Sequence, residues 1–419
     1  MTSTDHESWA TQTFGLRVRH RSGTPLLTEL VAPGLRRNPR RAHLLVSSVL
    51  GKHIAADPRD VIAAGHQLGR AVASLGLGDV DVLGMAETAT SLGHCVADNL
   101  DAAMYLHTTR RHAPPNMIYA EFQEGHSHAT DHTLQPSSAD LFAQPRPIVL
   151  VDDEISTGNT AFATVAALQQ LQHRAHYVVA SLVDVRNDTH RHDAAAAVSN
   201  KLRTSVHFVS LAQGDVDQPA GLIDAVCALN PPVLNTPSDR PPSTPSRLTL
   251  PWPAHVPEGG RHGFLRQDRP EFEEAVLWAS EHLHSYLDPS RPVLLVGHEE
   301  LMYLPLRLAD QLARHGFNTR FQSTTRSPAY VHNHPEYPLG TGWTFPASEP
   351  GETSARFLYN GWQAPPHVRV QLVLLVDRIA ASGDLTVGEV LAASGYDVII
   401  AEVDGPDATT LAEIRGRQQ

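Results

Sequence analysis

The chain has 419 residues, two cysteines and a formal net charge of −12 at pH 7, with 41% hydrophobic and 19% charged residues. This suits a globular protein of one large or two ordinary domains, excludes a disulfide scaffold or a cysteine-built zinc site, and disfavours the basic footprint of nucleic-acid binding. No apolar run approaches the roughly 20 residues of a membrane helix, and the polar N-terminus MTSTDHESWATQTFG has no signal-peptide pattern, so a cytoplasmic protein is expected.

In chain order, RRAHLLVSSVLG (40–51) reads as a helix that ends at Lys52, near Arg36, Arg37, Arg40 and Arg41. Only Lys52 and Lys201 are lysine, so Lys52 stands out as a phosphate or acceptor contact; a solvated helix end is the plainer account. Strand DVDVLGM (79–85) precedes a helix over 87–100, then strand AAMYLHTTRR (102–111). PIVLVDD (147–153) is a buried strand, followed by a helix over 160–172 and strand HYVVASLVDVR (176–186). Apolar strands alternating with helices predict a parallel sheet covered on both faces.

Residues 226–258 are rich in Pro and Ser and read as an extended linker. The predicted domains are therefore 1–225 and 259–419. The second repeats the alternation: strand, turn and helix over 291–312, a strand at 319–327, strand and loop over 368–384, a helix in LTVGEVLAAS and a closing strand YDVIIAEVD. DVLGMAET matches LLVGHEEL, HTTRR (107–111) matches STTRS (323–327), and VDDEISTGNT (151–160) matches VDRIAASGDL (376–385). Three blocks in one order indicate duplication. The second copy is chemically eroded: Arg378 and Leu385 stand where the first has Asp153 and Thr160.

The most informative stretch is PIVLVDDEISTGNT (147–160). Ser156, Thr157, Gly158, Asn159 and Thr160 open a helix, where backbone N–H groups and the dipole favour an anion. Gly158 lets the backbone curl around a phosphate. Asp152 and Asp153 end a buried strand, where open α/β sheets bind ligands, and can accept hydrogen bonds from sugar hydroxyls. A Walker B reading fails because neither lysine lies in a Walker A loop. A receiver-domain reading fails because Lys201 is too close and TGNT has no role there. A plain capped helix does not account for three consecutive acids.

The pattern resembles the PRPP-binding motif of type I phosphoribosyltransferases. The resemblance implies the type I fold, a parallel sheet flanked by helices, followed here by a degenerate, related α/β domain. It assigns Asp152 and Asp153 to the ribose hydroxyls and residues Ser156 to Thr160 to the 5′-phosphate. It implies a pyrophosphate loop at Ala86, Glu87 and Thr88, assisted by Arg110, Arg111 and Lys52. RRNPRRAHLL, GMAETATSLG, EGHSHATDH and TTRSP further resemble an orotate-phosphoribosyltransferase-like subfamily with a C-terminal TRSP domain, found near tellurium-resistance-type gene clusters.

The family also implies a mobile lid, here within 117–136, with Glu121, Glu124, His126, His128, Asp131 and His132. His-x-His spacing is a weak zinc signal; the preferred reading has His126 or His128 meeting pyrophosphate. The expected activity is Mg2+-dependent transfer of phosphoribose from PRPP to a small-molecule acceptor. Mg2+ would be carried mostly by PRPP, with Asp152 and Asp153 acting largely through its hydroxyls. A homodimer is suggested, and no nucleic-acid or membrane partner. The alternatives are a PRPP- or nucleotide-binding regulator without turnover, and the reverse reaction on a nucleotide.

Overall fold

A computed structural model describes residues 7–122, 132–188, 190, 191, 195–362, 364, 365 and 368–417. No helix among them is long and apolar enough to cross a membrane. The first sheet has the spatial order β1 (Arg17–Gly23), β10 (Ser205–Asp217), β9 (His176–Asp184), β8 (Ile148–Ile155), β4 (Asp81–Gly84), β5 (Met104–His107) and β12 (Phe264–Leu265). The five inner strands are parallel and both edges pair antiparallel. Residues 148–151 of β8 are all buried, because strands flank them and helices cover both faces. Two hairpins stand beside this sheet: β2 (Val31–Leu35) with β3 (His43–Ser47), and β6 (Ala120–Phe122) with β7 (His132–Leu134).

The second sheet runs β11 (Ser246–Thr249), β18 (Asp397–Val403), β17 (Gln371–Asp377), β13 (Val293–Gly297) and β14 (Thr319–Ser323), all parallel. A hairpin of β15 (Gly342–Pro346) and β16 (Ala355–Tyr359) follows β14. The two halves share one topology. The order β9-β8-β4-β5 corresponds to β18-β17-β13-β14, each with a hairpin between its second and third strands in sequence. Helices Pro58–Ala73 and Thr90–Asn99 flank β4 as Arg269–His284 and Tyr303–Arg314 flank β13. The sheets thus carry the three-block repeat beyond the matched residues.

Two expectations change. Residues 40–51 are not a helix: His43–Ser47 is β3, paired with β2 and buried along its whole length. A short run apolar on both faces is ambiguous between strand and helix by periodicity alone. Residues 246–249, within the expected linker, pair with β18, and Phe264–Leu265 returns to the first sheet. The chain therefore ties the halves together twice. Helices Thr90–Asn99 and Tyr303–Arg314 join one buried cluster across the junction, with His94 stacked on Tyr303 at 3.6 Å between ring centroids.

Burial holds several histidines neutral. His43, His107 and His262 are lowered to about 4, in each case chiefly by burial, with Arg41 adding to it at His43 and Arg261 at His262, while at His107 Glu300 partly opposes it. His53 and His94 are held well below their ordinary value, for the same leading cause. On unfolding each regains its ordinary value of about 6.5. The unfolded chain then binds more protons than the native one below that pH, so stability falls as pH drops from about 6.5 towards 4. Asp81, raised by burial to about 6, opposes this, as do Asp153 and Glu258, also raised by burial. Urea midpoints are expected to be clearly lower at pH 5 than at pH 7; equal midpoints would count against neutral buried histidines.

Candidate functional site

Three loops leave neighbouring strand ends on the C-terminal edge of the first sheet. Gly84 on β4 is in register with Val151 on β8 and with His107 on β5. The turns after β8, β4 and β5 therefore lie side by side at strand spacing, about 4.8 Å apart. They carry residues 152–160, 85–89 and 108–111, the segments expected to meet ribose phosphate and pyrophosphate.

The turn after β8 leads into a helix start, whose backbone N–H groups could take an anion. Gly158 has φ +84°, a left-handed conformation that side chains rarely adopt, and caps the helix Asn159–Leu171. A Cβ there would lie 3.2 Å from the Phe162 ring, tighter than an ordinary contact, so the turn favours glycine on backbone and steric grounds alike. Asp152, Asp153 and Glu154 are half-buried at its entrance. Asp152 Oδ1 accepts from the Asp153 backbone N–H at 2.9 Å. Burial, opposed by Lys52, leaves the Asp153 carboxyl above its ordinary range. Burial would also raise Glu154, but Arg41 outweighs it through an ion pair and holds Glu154 low.

Lys52 reaches the site from the first domain's β2–β3 region, and its Nζ donates to Thr88 Oγ1 at 2.6 Å. Its segment leans on the second domain: Ser323 N donates to Gly51 O at 2.7 Å, and the Asn360 amide to His53 O at 2.9 Å. In the turn after β4, Ala86 N donates to Thr108 Oγ1 at 2.8 Å, and Thr108 also bonds His132 Nδ1 at 2.9 Å. The other ring nitrogen of His132 lies 3.1 Å from an Arg110 guanidinium nitrogen. Lys52, Thr88, Arg110 and the acids of 152–154 thus flank one edge of the sheet.

The structure places two expected residues differently. Arg111 points into the second domain, where its guanidinium meets Asp377 at 2.6 Å and Glu349 at 3.0 Å, all three buried. It is taken up by structural ion pairs and does not face the cradle. The Glu87 carboxylate also turns away, towards Thr325 and Arg326 of the second domain. His126 and His128 lie outside the described residues.

The corresponding turn of the second domain is closed. Asp377 caps Ala380 N at 3.0 Å and accepts from Arg261 at 3.0 Å as well as from Arg111. Burial would raise it, but the two arginines hold it far below the usual carboxylate range. A Cβ on Gly383 would lie 1.7 Å from Ser348 O, so the chain's own backbone packs against this turn, where the nearest neighbour of Gly158 is the Phe162 ring. Nearby, His298, Glu299 and Glu349 converge as metal-capable groups among the described residues. Arg356 and Arg326 already neutralise Glu299 there, which disfavours a cation.

Sequence reasoning missed Arg41 as a partner of the third acid, and the second domain's hold on the turns after β4 and β5. Arg41 lay in a basic run and could have been matched to the three acids. The interdomain contacts join residues some 190 to 240 positions apart, which no local pattern reveals.

Residues 30–215 match the family model described as phosphoribosyl transferase, and residues 258–393 the one described as TRSP domain C terminus to PRTase_2. The two matches divide the chain as its two sheets do, a phosphoribosyl transferase match followed by a TRSP match. No curated protein matches the chain. Among solved structures, it is similar to adenine phosphoribosyltransferase from Rhodothermus marinus, at 18% identity and TM-score 0.28, over 44% of this chain and 96% of that one. The enzyme from Leishmania tarentolae has 14% identity and TM-score 0.33, over 50% and 98%. The Trypanosoma brucei enzyme, in complex with AMP, pyrophosphate and ribose-5-phosphate, has 15% identity and TM-score 0.32, over 45% and 81%. Likeness at this level carries nothing about the acceptor.

Proposed function

We propose that the chain transfers the 5-phosphoribosyl group of PRPP to a base or other small-molecule nucleophile and releases pyrophosphate, with Mg2+ as cofactor. The observation that carries this reading is the left-handed Gly158 turn that opens the helix Asn159–Leu171 beside Asp152 and Asp153. Residues Ser156 to Thr160 would hold the 5′-phosphate by backbone N–H groups and hydroxyls. Asp152 and Asp153 would accept from the ribose 2′- and 3′-hydroxyls. The C1–O bond to pyrophosphate breaks, its electron pair leaves with pyrophosphate, and the acceptor's lone pair forms the new bond at C1. Positive charge grows on the sugar as that bond lengthens, and the nearby carboxylates stabilise it. Lys52 and Arg110 would meet the negative charge growing on the leaving group.

The oxygen donors of Asp152 and Asp153 fit a hard cation such as Mg2+, held mostly through the sugar hydroxyls. Bound there, Mg2+ would neutralise charge on the pyrophosphate. The lid expected around His126 and His128 would exclude water from the reacting sugar.

Pyrophosphate release, followed with PRPP, Mg2+ and a panel of purine, pyrimidine and small amine acceptors, tests the reading. Release that requires both PRPP and one acceptor class is expected. PRPP binding with no release from any acceptor would favour a regulator that binds without turnover. Base release from a nucleotide supplied with pyrophosphate, without pyrophosphate release from PRPP and any acceptor, would favour the reverse reaction.

A further inference from the structure

The two domains meet about a local twofold relation, and the contact falls on the turns assigned above to pyrophosphate. The repeat sets Glu87, Thr109 and Arg110 opposite Glu300, Thr325 and Arg326. Within each half the hydrogen bonds correspond. Thr108 N donates to Gly84 O at 2.9 Å, and Thr324 N to Gly297 O at 2.9 Å. Thr108 Oγ1 accepts from Ala86 N at 2.8 Å, and Thr324 Oγ1 from Glu299 N at 2.9 Å. Between the halves the bonds are reciprocal. Glu87 accepts from Thr325 Oγ1 and, at 3.0 Å, from Arg326 N. Glu300 accepts from Thr109 Oγ1 at 2.7 Å and from Arg110 N at 3.1 Å. Each glutamate holds the other half's Thr-Arg turn, the reciprocity of an isologous interface.

We propose that the second domain is a covalently attached positioning partner. Its Thr325–Arg326 turn and its Glu300 fix the turns after β4 and β5, so that affinity for the pyrophosphate half of PRPP depends on it. This rests on the PRPP reading. Two physical effects act together. Glu87 lies in a turn that would approach a polyanion, and the Thr325 hydroxyl and Arg326 N–H hold its carboxylate turned away from it. Glu300 anchors the backbone from which Arg110 projects. The second domain's own cradle is closed, so its remaining polar turns serve the first domain's site.

Calorimetry on the full chain with Mg2+ tests this, using PRPP and, as control, ribose 5-phosphate, which shares the cradle but lacks pyrophosphate. The variants are Thr325→Val, nearly isosteric, and Glu300→Gln. Hydrogen bonds to a charged group are strong enough that PRPP affinity is expected to fall about tenfold or more. The dissociation constant for ribose 5-phosphate is expected to move less than about twofold, and thermal unfolding to show that each variant is folded. If Glu300→Gln fails to fold, Thr325→Val carries the test. PRPP affinity unchanged in the folded variants, or an equal loss for both ligands, overturns the inference and leaves the PRPP reading intact. A wild-type chain that binds neither ligand removes the PRPP reading, and this inference with it.

Discussion

Replacing Asp152 and Asp153 together by Asn is expected to abolish measurable transfer and to weaken PRPP binding by about a hundredfold or more. Each carboxylate accepts hydrogen bonds from a sugar hydroxyl in the proposed complex, and charge-assisted bonds of this kind contribute about 1.5–3 kcal/mol apiece. The loss in turnover should exceed the loss in binding, because the charge that stabilises the electron-poor sugar is removed as well. Stability should not suffer. Asp153 is held above its ordinary range by burial, so its charged form is disfavoured in the folded chain, and Asn removes that cost. Steady-state pyrophosphate release and urea midpoints, measured on the same preparations, check both halves. A variant as active as the wild type would place the chemistry elsewhere.

The second large effect concerns stability. Arg111→Met is expected to cost about 3 kcal/mol, because it takes one buried cationic partner from both Asp377 and Glu349 and leaves them Arg261 and His298. Glu349, normally held at about 2 with His298 and Arg111 outweighing burial, would then be pushed towards protonation. The measurement is the urea midpoint at pH 7, with PRPP affinity determined on folded protein. The pyrophosphate role that sequence suggested for Arg111 gives the opposite pattern: weaker PRPP binding at unchanged stability. The two roles therefore separate cleanly.

That contrast shows what sequence could and could not reveal. The cradle was legible because its chemistry is local: strand, acids, glycine and helix start lie within one continuous stretch, and each residue type has its own physical reason to be there. The repeat was legible because three blocks kept their order, and the matching sheet topologies extend it. Arg110 and Arg111 are adjacent and chemically identical, yet one lies beside His132 and the other enters the second domain. Only the packing of the two sheets decides between them. His43–Ser47 was misread for a related reason, since a run buried on both faces has no amphipathic period to read. The erosion of the second site was half visible: Arg378 and Leu385 could be read, but the Ser348 backbone inside its cradle could not.

In the proposed reading the first domain carries the phosphoribosyl site and the second a closed relic of it. The most direct test is the stoichiometry of PRPP binding, by calorimetry with Mg2+ on the wild-type chain. A single PRPP per chain is expected, lost in Asp152→Asn, Asp153→Asn. Binding to both halves, binding that survives that double substitution, or no binding at all would contradict it.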